Sequence, residues 1–275
     1  MKSCMIVKAF CLIATITGAF AEEQSPLQLS LPLELSLSIT GLTGQIAGQY
    51  RLTQMAPAGP EDLRRSDLFP WDRPFAGRYN APASTASEFL VFAVGGAMFY
   101  SDIWDKTRTQ TSWTPLLQDG LILSEALAFS SALNLNARAF RWHPRPFVYD
   151  STNGSGAAQR KAPEAAGSFY SGHASNAFVG AAYFATVYPL RHPEFQHTGW
   201  LWTGSLAAAT TVAVLRVASG KHFPSDVVAG AVIGTGLGWG FAKIHETHHG
   251  MFWSLEAWPL SGGFAFQAER SFAAL

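Results

Sequence analysis

Cysteine is almost missing from this chain: among 275 residues only Cys4 and Cys11 carry a thiol. Both fall near the start, so the rest of the chain has no means of forming a disulfide, a thiolate metal site or a cysteine nucleophile. Charge is scarce too. Asp, Glu, Lys and Arg make up 14% of the residues, against about 25% in a typical soluble domain. The 19 basic residues balance the 19 acidic ones. No basic block and no interleaving of aromatic with basic residues is present, which argues against nucleic acid as a partner. What is abundant is apolar: 48% hydrophobic residues, with 25 glycines and 9 tryptophans. That balance points to a membrane or to a very apolar bundle.

The first stretch reads as an export signal over residues 1–21, with a retained membrane anchor as the alternative. Lys2 and Lys8 are the positive region, "AFCLIATITGAFA" the apolar core, and Ala19-Phe20-Ala21 a small-x-small site before Glu22. Residues 22–84 read as an extended N-terminal segment. In "LQLSLPLELSLSI", Leu27, Leu29, Leu31, Leu33, Leu35, Leu37 and Ile39 alternate. Period two predicts a half-buried strand, and Pro32 on the other face suggests a sheet edge. Leucine itself favours helix, which pulls the other way. From Met55 to Ser84 the text is irregular and rich in Pro, Gly, Arg and Asp, an approach segment or lid without visible chemistry.

Residues 85–250 read as a helical domain. Five apolar segments, about 86–103, 113–140, 173–189, 198–217 and 225–245, are long enough only for helices. Their uninterrupted apolar cores, mostly about 12–17 residues, are short of the ~20 that span a bilayer comfortably. Close-spaced small residues in "GAVIGTGLGWG" permit tight helix contacts in lipid or in water. The expected fold is therefore mainly α: a bundle of about five core helices, membrane-embedded rather than soluble, with short β segments near both termini. The polar run Asp150–Gly167 is a loop. Residues 251–275 form a hairpin-like tail turning at Ser261-Gly262-Gly263.

Polar residues gather at the helix ends. "NARAFRWHPRP" places Arg138, Arg141 and Arg145 where the second helix runs out, and "SFYSGHASNAF" places Ser171, Gly172 and His173 at the start of the third. The fourth ends at Arg216, and the fifth begins after His222 with Pro224 in its first turn and Asp226 inside it. Helix N-terminal N–H groups, a glycine and a hydroxyl make an anion site, and arginines add planar, permanently charged donors. An imidazole held at one nitrogen is a competent nucleophile at the other. Asp226, four residues after His222, is suited to hold it, and His173 remains to protonate a leaving oxygen.

The order and spacing of these residues resemble the type 2 phosphatidic acid phosphatase superfamily, which also holds bacterial class A acid phosphatases and vanadate haloperoxidases. Its pattern runs Lys-x6-Arg-Pro, Pro-Ser-Gly-His and Ser-Arg-x5-His-x3-Asp. Here the counterparts are Arg138-x6-Arg145-Pro146, Tyr170-Ser171-Gly172-His173 and Leu215-Arg216-x5-His222-x3-Asp226. The resemblance covers roughly residues 115–245. It implies a helical bundle that hydrolyses phosphate esters through a phosphohistidine, with no metal and no cofactor. It further implies His222 as nucleophile, Asp226 as its partner and His173 as acid/base, with Arg138, Arg145, Ser171, Gly172 and Arg216 binding phosphate. Three positions depart from the pattern: Arg138 for Lys, Tyr170 for Pro and Leu215 for Ser. None removes a reacting group.

The resulting expectation is an exported, membrane-associated enzyme of the cell envelope, facing outward from the cytoplasm. It would act on a phosphorylated lipid or a small phosphate ester, with the membrane as partner and no nucleic acid. A vanadate haloperoxidase, a soluble periplasmic acid phosphatase and an inactive lipid-phosphate-binding protein are the alternatives. "HETHH" raises another, since His245, Glu246 and His249 match the zinc-protease pattern His-Glu-x-x-His. Gly250 follows at once and no third ligand is near, and histidines in a last turn also suit the helix dipole. His143, His192 and His197 read as surface histidines, and Arg141, off the matched spacing, as a surface or headgroup-facing charge. Trp113, Trp142, Trp200 and Trp202 flank apolar helices as interfacial anchors or ordinary packing.

Overall fold

A computed structural model describes residues 25–109, 112–150, 162–247, 252–260 and 263–271. The signal-like stretch 1–21 and most of the polar loop 150–167 lie outside these residues. Seven helices appear among the described residues: α1 (Leu31–Thr53), α2 (Ala81–Gly95), α3 (Ala97–Thr109), α4 (Thr114–Arg138), α5 (Gly172–Arg191), α6 (Thr198–Ala218) and α7 (Pro224–His245). Two C-terminal strands, β1 (Phe252–Leu260) and β2 (Gly263–Ser271), pair antiparallel.

The start of the chain departs from the expected strand. Leu31–Thr53 is helical, so residues 22–84 are not extended throughout. Pro32 lies in the first turn, where its missing N–H costs nothing. Glu34 reaches back to accept from the Ser30 N–H at 2.9 Å. The alternation stops at Ile39, and beyond it Gly41, Gly44 and Gly48 recur at helical spacing. These glycines face α4: an added Cβ would meet Ala128 Cβ at 3.1 Å, Ala132 Cβ at 2.9 Å and Leu135 Cβ at 2.6 Å. Close helix approach along small residues thus outweighs a period-two pattern of leucines, which are themselves helix formers. The expected first core helix also differs, being two helices, α2 and α3, bent by 45°.

α5 is the central helix, buried from Ala174 to Val187 with few exceptions. Its alanines let α2, α4, α6 and α7 approach. The α5–α7 contact is a seam of Gly230, Gly234 and Gly238, where an added Cβ would meet Ser171 O at 2.6 Å, Ser175 O at 2.2 Å and Val179 O at 2.3 Å. The far end of α5 is locked by Arg191, which grips the buried Asp119 at 2.9 and 3.0 Å.

Three helices are long and apolar enough to cross a bilayer: Thr114–Arg138, Thr198–Ala218 and Pro224–His245. Large apolar side chains face outward, including Ile46 on α1, Phe92 on α2, Trp200 on α6 and Val232 on α7, each at least 70% exposed. Large exposed apolar side chains on four helices fit a lipid environment.

Candidate active site

Two helix C-termini, of α4 and α6, meet two N-termini, of α5 and α7, at one end of the bundle. The glycine seam sets the depth: it brings the start of α7 against that of α5, where Ser171 N–H donates to Asp226 O at 3.0 Å. Ser171 is the N-cap of α5, its hydroxyl accepting from the Ala174 N–H at 3.3 Å. Between α6 and α7 the chain reverses at Gly220, with φ of +71°. A side chain there would be strained and would also collide with Arg78 O, 1.8 Å from an added Cβ. After this turn the N–H groups of Lys221 and His222 both donate to Arg216 O, at 3.2 and 3.3 Å. The arginine and the histidine are thereby folded onto one another.

The result is a cavity of about 520 Å³ lined by Arg138, Arg145, Gly172, His173, Arg216 and His222. Six of the eight residues expected from the sequence line it; Ser171 and Asp226 do not, and both are fully buried. Arg138 Nε donates to Gly167 O at 3.2 Å. Arg216 is buried, with Nη1 donating to Ser87 Oγ at 3.1 Å. Its Nε is buried without a hydrogen-bond partner. An unsatisfied guanidinium N–H is costly unless an anion completes it. Arg141, by contrast, pairs with Asp62 at 2.9 Å.

Asp226 is fully buried and crowded. Its Oδ2 accepts from Ser168 Oγ at 2.6 Å and from the Phe223 N–H at 2.8 Å, so it also caps its own helix. His222 Nδ1 lies 3.5 Å from that same oxygen and 3.5 Å from Ser168 Oγ. At 3.5 Å the contact is longer than a good hydrogen bond. Burial pushes the His222 pKa well below its ordinary 6.5, and Arg145, Arg216 and Arg138 push it further. His173 is driven down to about 3, by burial first and then by Arg216 and Arg145. Both shifts favour the neutral ring.

Four residues beside the candidate site, His143, Ser168, Asn134 and Lys221, escaped the sequence reading. His143 is not a surface histidine: it is 8% exposed, with Nε2 3.5 Å from Asp226 Oδ1. Its place inside the six-residue gap before Arg145 was the available signal. Ser168 bridges Asp226 and His222 with nothing local to announce it. Asn134, one turn before Arg138, donates to Tyr170 O at 2.5 Å. Tyr170 fixes the same loop by donating from its hydroxyl to Ser130 O at 3.2 Å. Lys221 adds a fourth cation to the cavity.

The segment 55–80, expected as an approach segment or lid, packs against the start of α7. Asp72 caps α7, accepting from Ser225 N–H at 3.1 Å and Ser225 Oγ at 2.6 Å. Phe69 stacks on Trp71 at 5.0 Å and meets Trp142 at 5.8 Å, and Trp142 meets Phe169 at 4.8 Å. Trp71 and Trp142 are exposed, which makes an aromatic cluster beside the site. The helix carrying "HETHH" ends at His245, with Glu246 extended. The zinc-protease pattern therefore has no helical turn on which to align, and His249 lies outside the described residues.

Residues 119–249 match the family model of the PAP2 superfamily. Among solved structures, the chain is similar to the first transmembrane PAP2 type phosphatidylglycerolphosphate phosphatase from Bacillus subtilis, at 19% identity and a TM-score of 0.40. That match covers 77% of this chain and 94% of the other. No curated protein matches.

Proposed function

We propose, taking residues 119–249 as a PAP2-superfamily phosphatase domain, that the chain hydrolyses a phosphate monoester or pyrophosphate carried on a lipid. The observation that carries this reading is the buried, partnerless Arg216 Nε in a cavity whose other walls are Arg138, Arg145, His173 and His222. Cationic donors around two neutral imidazoles suit a tetrahedral dianion. The positive ends of α5 and α7 add to the attraction.

In the proposed reaction the free nitrogen of His222 attacks phosphorus and the bond from phosphorus to the leaving oxygen breaks. Asp226, through Nδ1 and the Ser168 hydroxyl, stabilises the cationic ring. The guanidinium groups, Ser171 and the Gly172 N–H hold the phosphoryl oxygens, and one such donor is typically worth ~3 kcal/mol. His173 delivers a proton to the leaving oxygen. Burial and then the arginines disfavour the protonated ring, and the negative phosphate offsets the arginine share of that cost. Water, deprotonated by His173, then attacks the phosphohistidine, releasing phosphate and restoring His222. Positioning and electrostatics account for most of such a reaction.

The apolar exterior and the exposed Trp71 and Trp142 beside the cavity support a lipid substrate, because aromatic rings of this kind settle at headgroup level. An orientation facing outward from the cytoplasm rests on the signal-like N-terminus. The decisive experiment supplies phosphorylated lipids and water-soluble phosphate esters to detergent-purified protein and compares wild type with His222→Ala. Loss of phosphate release in the variant, with a radiolabelled phosphoenzyme trapped only in wild type, is the expected outcome. Equal release from both proteins would overturn the mechanism. Vanadate separates the haloperoxidase alternative, since it inhibits a phosphatase and activates a peroxidase.

A further inference from the structure

At the other end of the bundle, three helices bring Glu34, Glu125 and His245 together in the interior, each no more than 2% exposed. This cluster is about 20 Å along α4 from Arg138 and about 28 Å along α7 from Asp226, at 1.5 Å per residue. None of its three residues lines the arginine-rich cavity. One ligand atom from each residue lies within 4.8 Å of the others.

The hydrogen bonds around the cluster leave a deficit. His245 Nδ1 lies 2.7 Å from Phe241 O, a carbonyl that only accepts, so Nδ1 carries the proton. The lone pair of Nε2 then faces Glu34 Oε2 at 3.1 Å. Two acceptors face each other there unless something positive lies between. Glu34 Oε1 is already satisfied by the Ser30 N–H, and Glu125 Oε1 by the Ser38 hydroxyl at 2.8 Å. Glu125 Oε2 is buried with no hydrogen-bond partner. One proton would serve the His245–Glu34 contact, and the cluster would need a second, on Glu125, before this apolar interior held no net charge. One divalent cation removes both deficits, bringing the cluster to neutrality.

We propose that Glu34, Glu125 and His245 form a structural site for a divalent transition metal of the zinc class. An imidazole with two carboxylates suits such an ion, and the carbonyl on Nδ1 is the outer-sphere partner that orients a ligating histidine. Small inward rotations close the cluster to the spacing that metal–ligand bonds of about 2.1 Å require. The ion would tie the start of α1 and the end of α7 to the middle of α4. The histidine of "HETHH" thus finds its carboxylates on other helices rather than on its own.

The test uses the full chain in detergent, stripped with chelator and titrated with Zn²⁺ or Co²⁺. Wild type should bind about one equivalent, show visible Co²⁺ d–d bands, and gain about 5–10 °C in Tm at a hundredfold excess over Kd. Glu125→Gln and His245→Gln should lose the bands and the Tm shift, while His222→Ala keeps both. Phosphate release by the stripped wild type should be unchanged, so the metal site and the phosphatase reading stand or fall separately. No bands and no shift in wild type would overturn the proposal, which keeps the test decisive even if the variants fail to fold. So would equal binding by Glu125→Gln, or binding lost in His222→Ala.

Discussion

His143 Nε2 lies 3.5 Å from Asp226 Oδ1, on the opposite side of the carboxylate from His222. Asp226 is therefore flanked by two imidazoles, one facing the cavity and one behind it. His143 Nδ1 lies 3.3 Å from Pro144 O, and its ring edge packs on Phe223 at 5.1 Å. A ring so fixed limits how far the carboxylate can turn away from His222.

Replacing His143 by Asn should then lower kcat by about 10–100-fold, the scale known for losing an orienting partner at metal centres. KM should change little, because His143 touches no phosphate oxygen in the proposed complex. Steady-state kinetics on a short-chain phosphorylated lipid read this directly. A rise in KM with kcat intact would show instead that His143 shapes the cavity.

Asp226→Asn should be far more severe, on the order of 10⁴ in kcat. The amide still accepts from the Phe223 N–H, so helix α7 should keep its cap and the protein its circular dichroism spectrum. Phosphoenzyme formation after rapid mixing separates a slow attack from a slow hydrolysis, and the attack is the step expected to slow.

Acid should destabilise the protein through its histidines. His173 is held at about 3 in the folded chain against an ordinary 6.5, and His222 is lowered as well. Between these values the unfolded chain binds protons that the folded chain refuses. Stability therefore falls as pH drops below 6.5, by up to about 1.4 kcal/mol per pH unit per histidine, until the folded ring protonates. Inorganic phosphate in the cage should raise both values and flatten the slope. Melting curves at several pH values, with and without phosphate and in His173→Asn, test this; an identical slope in the variant would count against it.

Two glycines of α7, two positions apart, should respond in opposite ways. An added Cβ at Gly234 would lie 2.2 Å from Ser175 O, whereas at Gly236 nothing stands within 4 Å. Gly234→Ala should cost about 1–3 kcal/mol through overpacking and reduce activity by shifting Asp226 away from Ser171. Gly236→Ala should be neutral or stabilise by up to ~1 kcal/mol, from helix propensity alone. Thermal melts of the pair, side by side, decide it.

Much of the candidate site was legible because its signals are local. Arg138, Arg145, Ser171, Gly172, His173, Arg216, His222 and Asp226 lie in three short stretches whose spacing follows from helix ends and one tight turn. The mainly helical fold and the apolar exterior followed from composition and from apolar runs longer than a strand. The strand expected over residues 27–39 failed because alternation measures only one face of a short segment. Whether that segment is helical was decided by the glycines after it, which need α4 as a partner.

The sequence by itself determined which reactive groups exist and in what order, because bond connectivity and helix-terminal chemistry act over a few residues. Only the tertiary structure decided which groups share a neighbour. His143 reads as a surface residue until helix docking buries it against Asp226, and Ser168 reads as loop until it lies between Asp226 and His222. Glu34, Glu125 and His245, on three separate helices, meet only because the bundle closes around them. Burial, unlike spacing, is a property of the packed whole, and burial is what turns these ordinary polar side chains into sites.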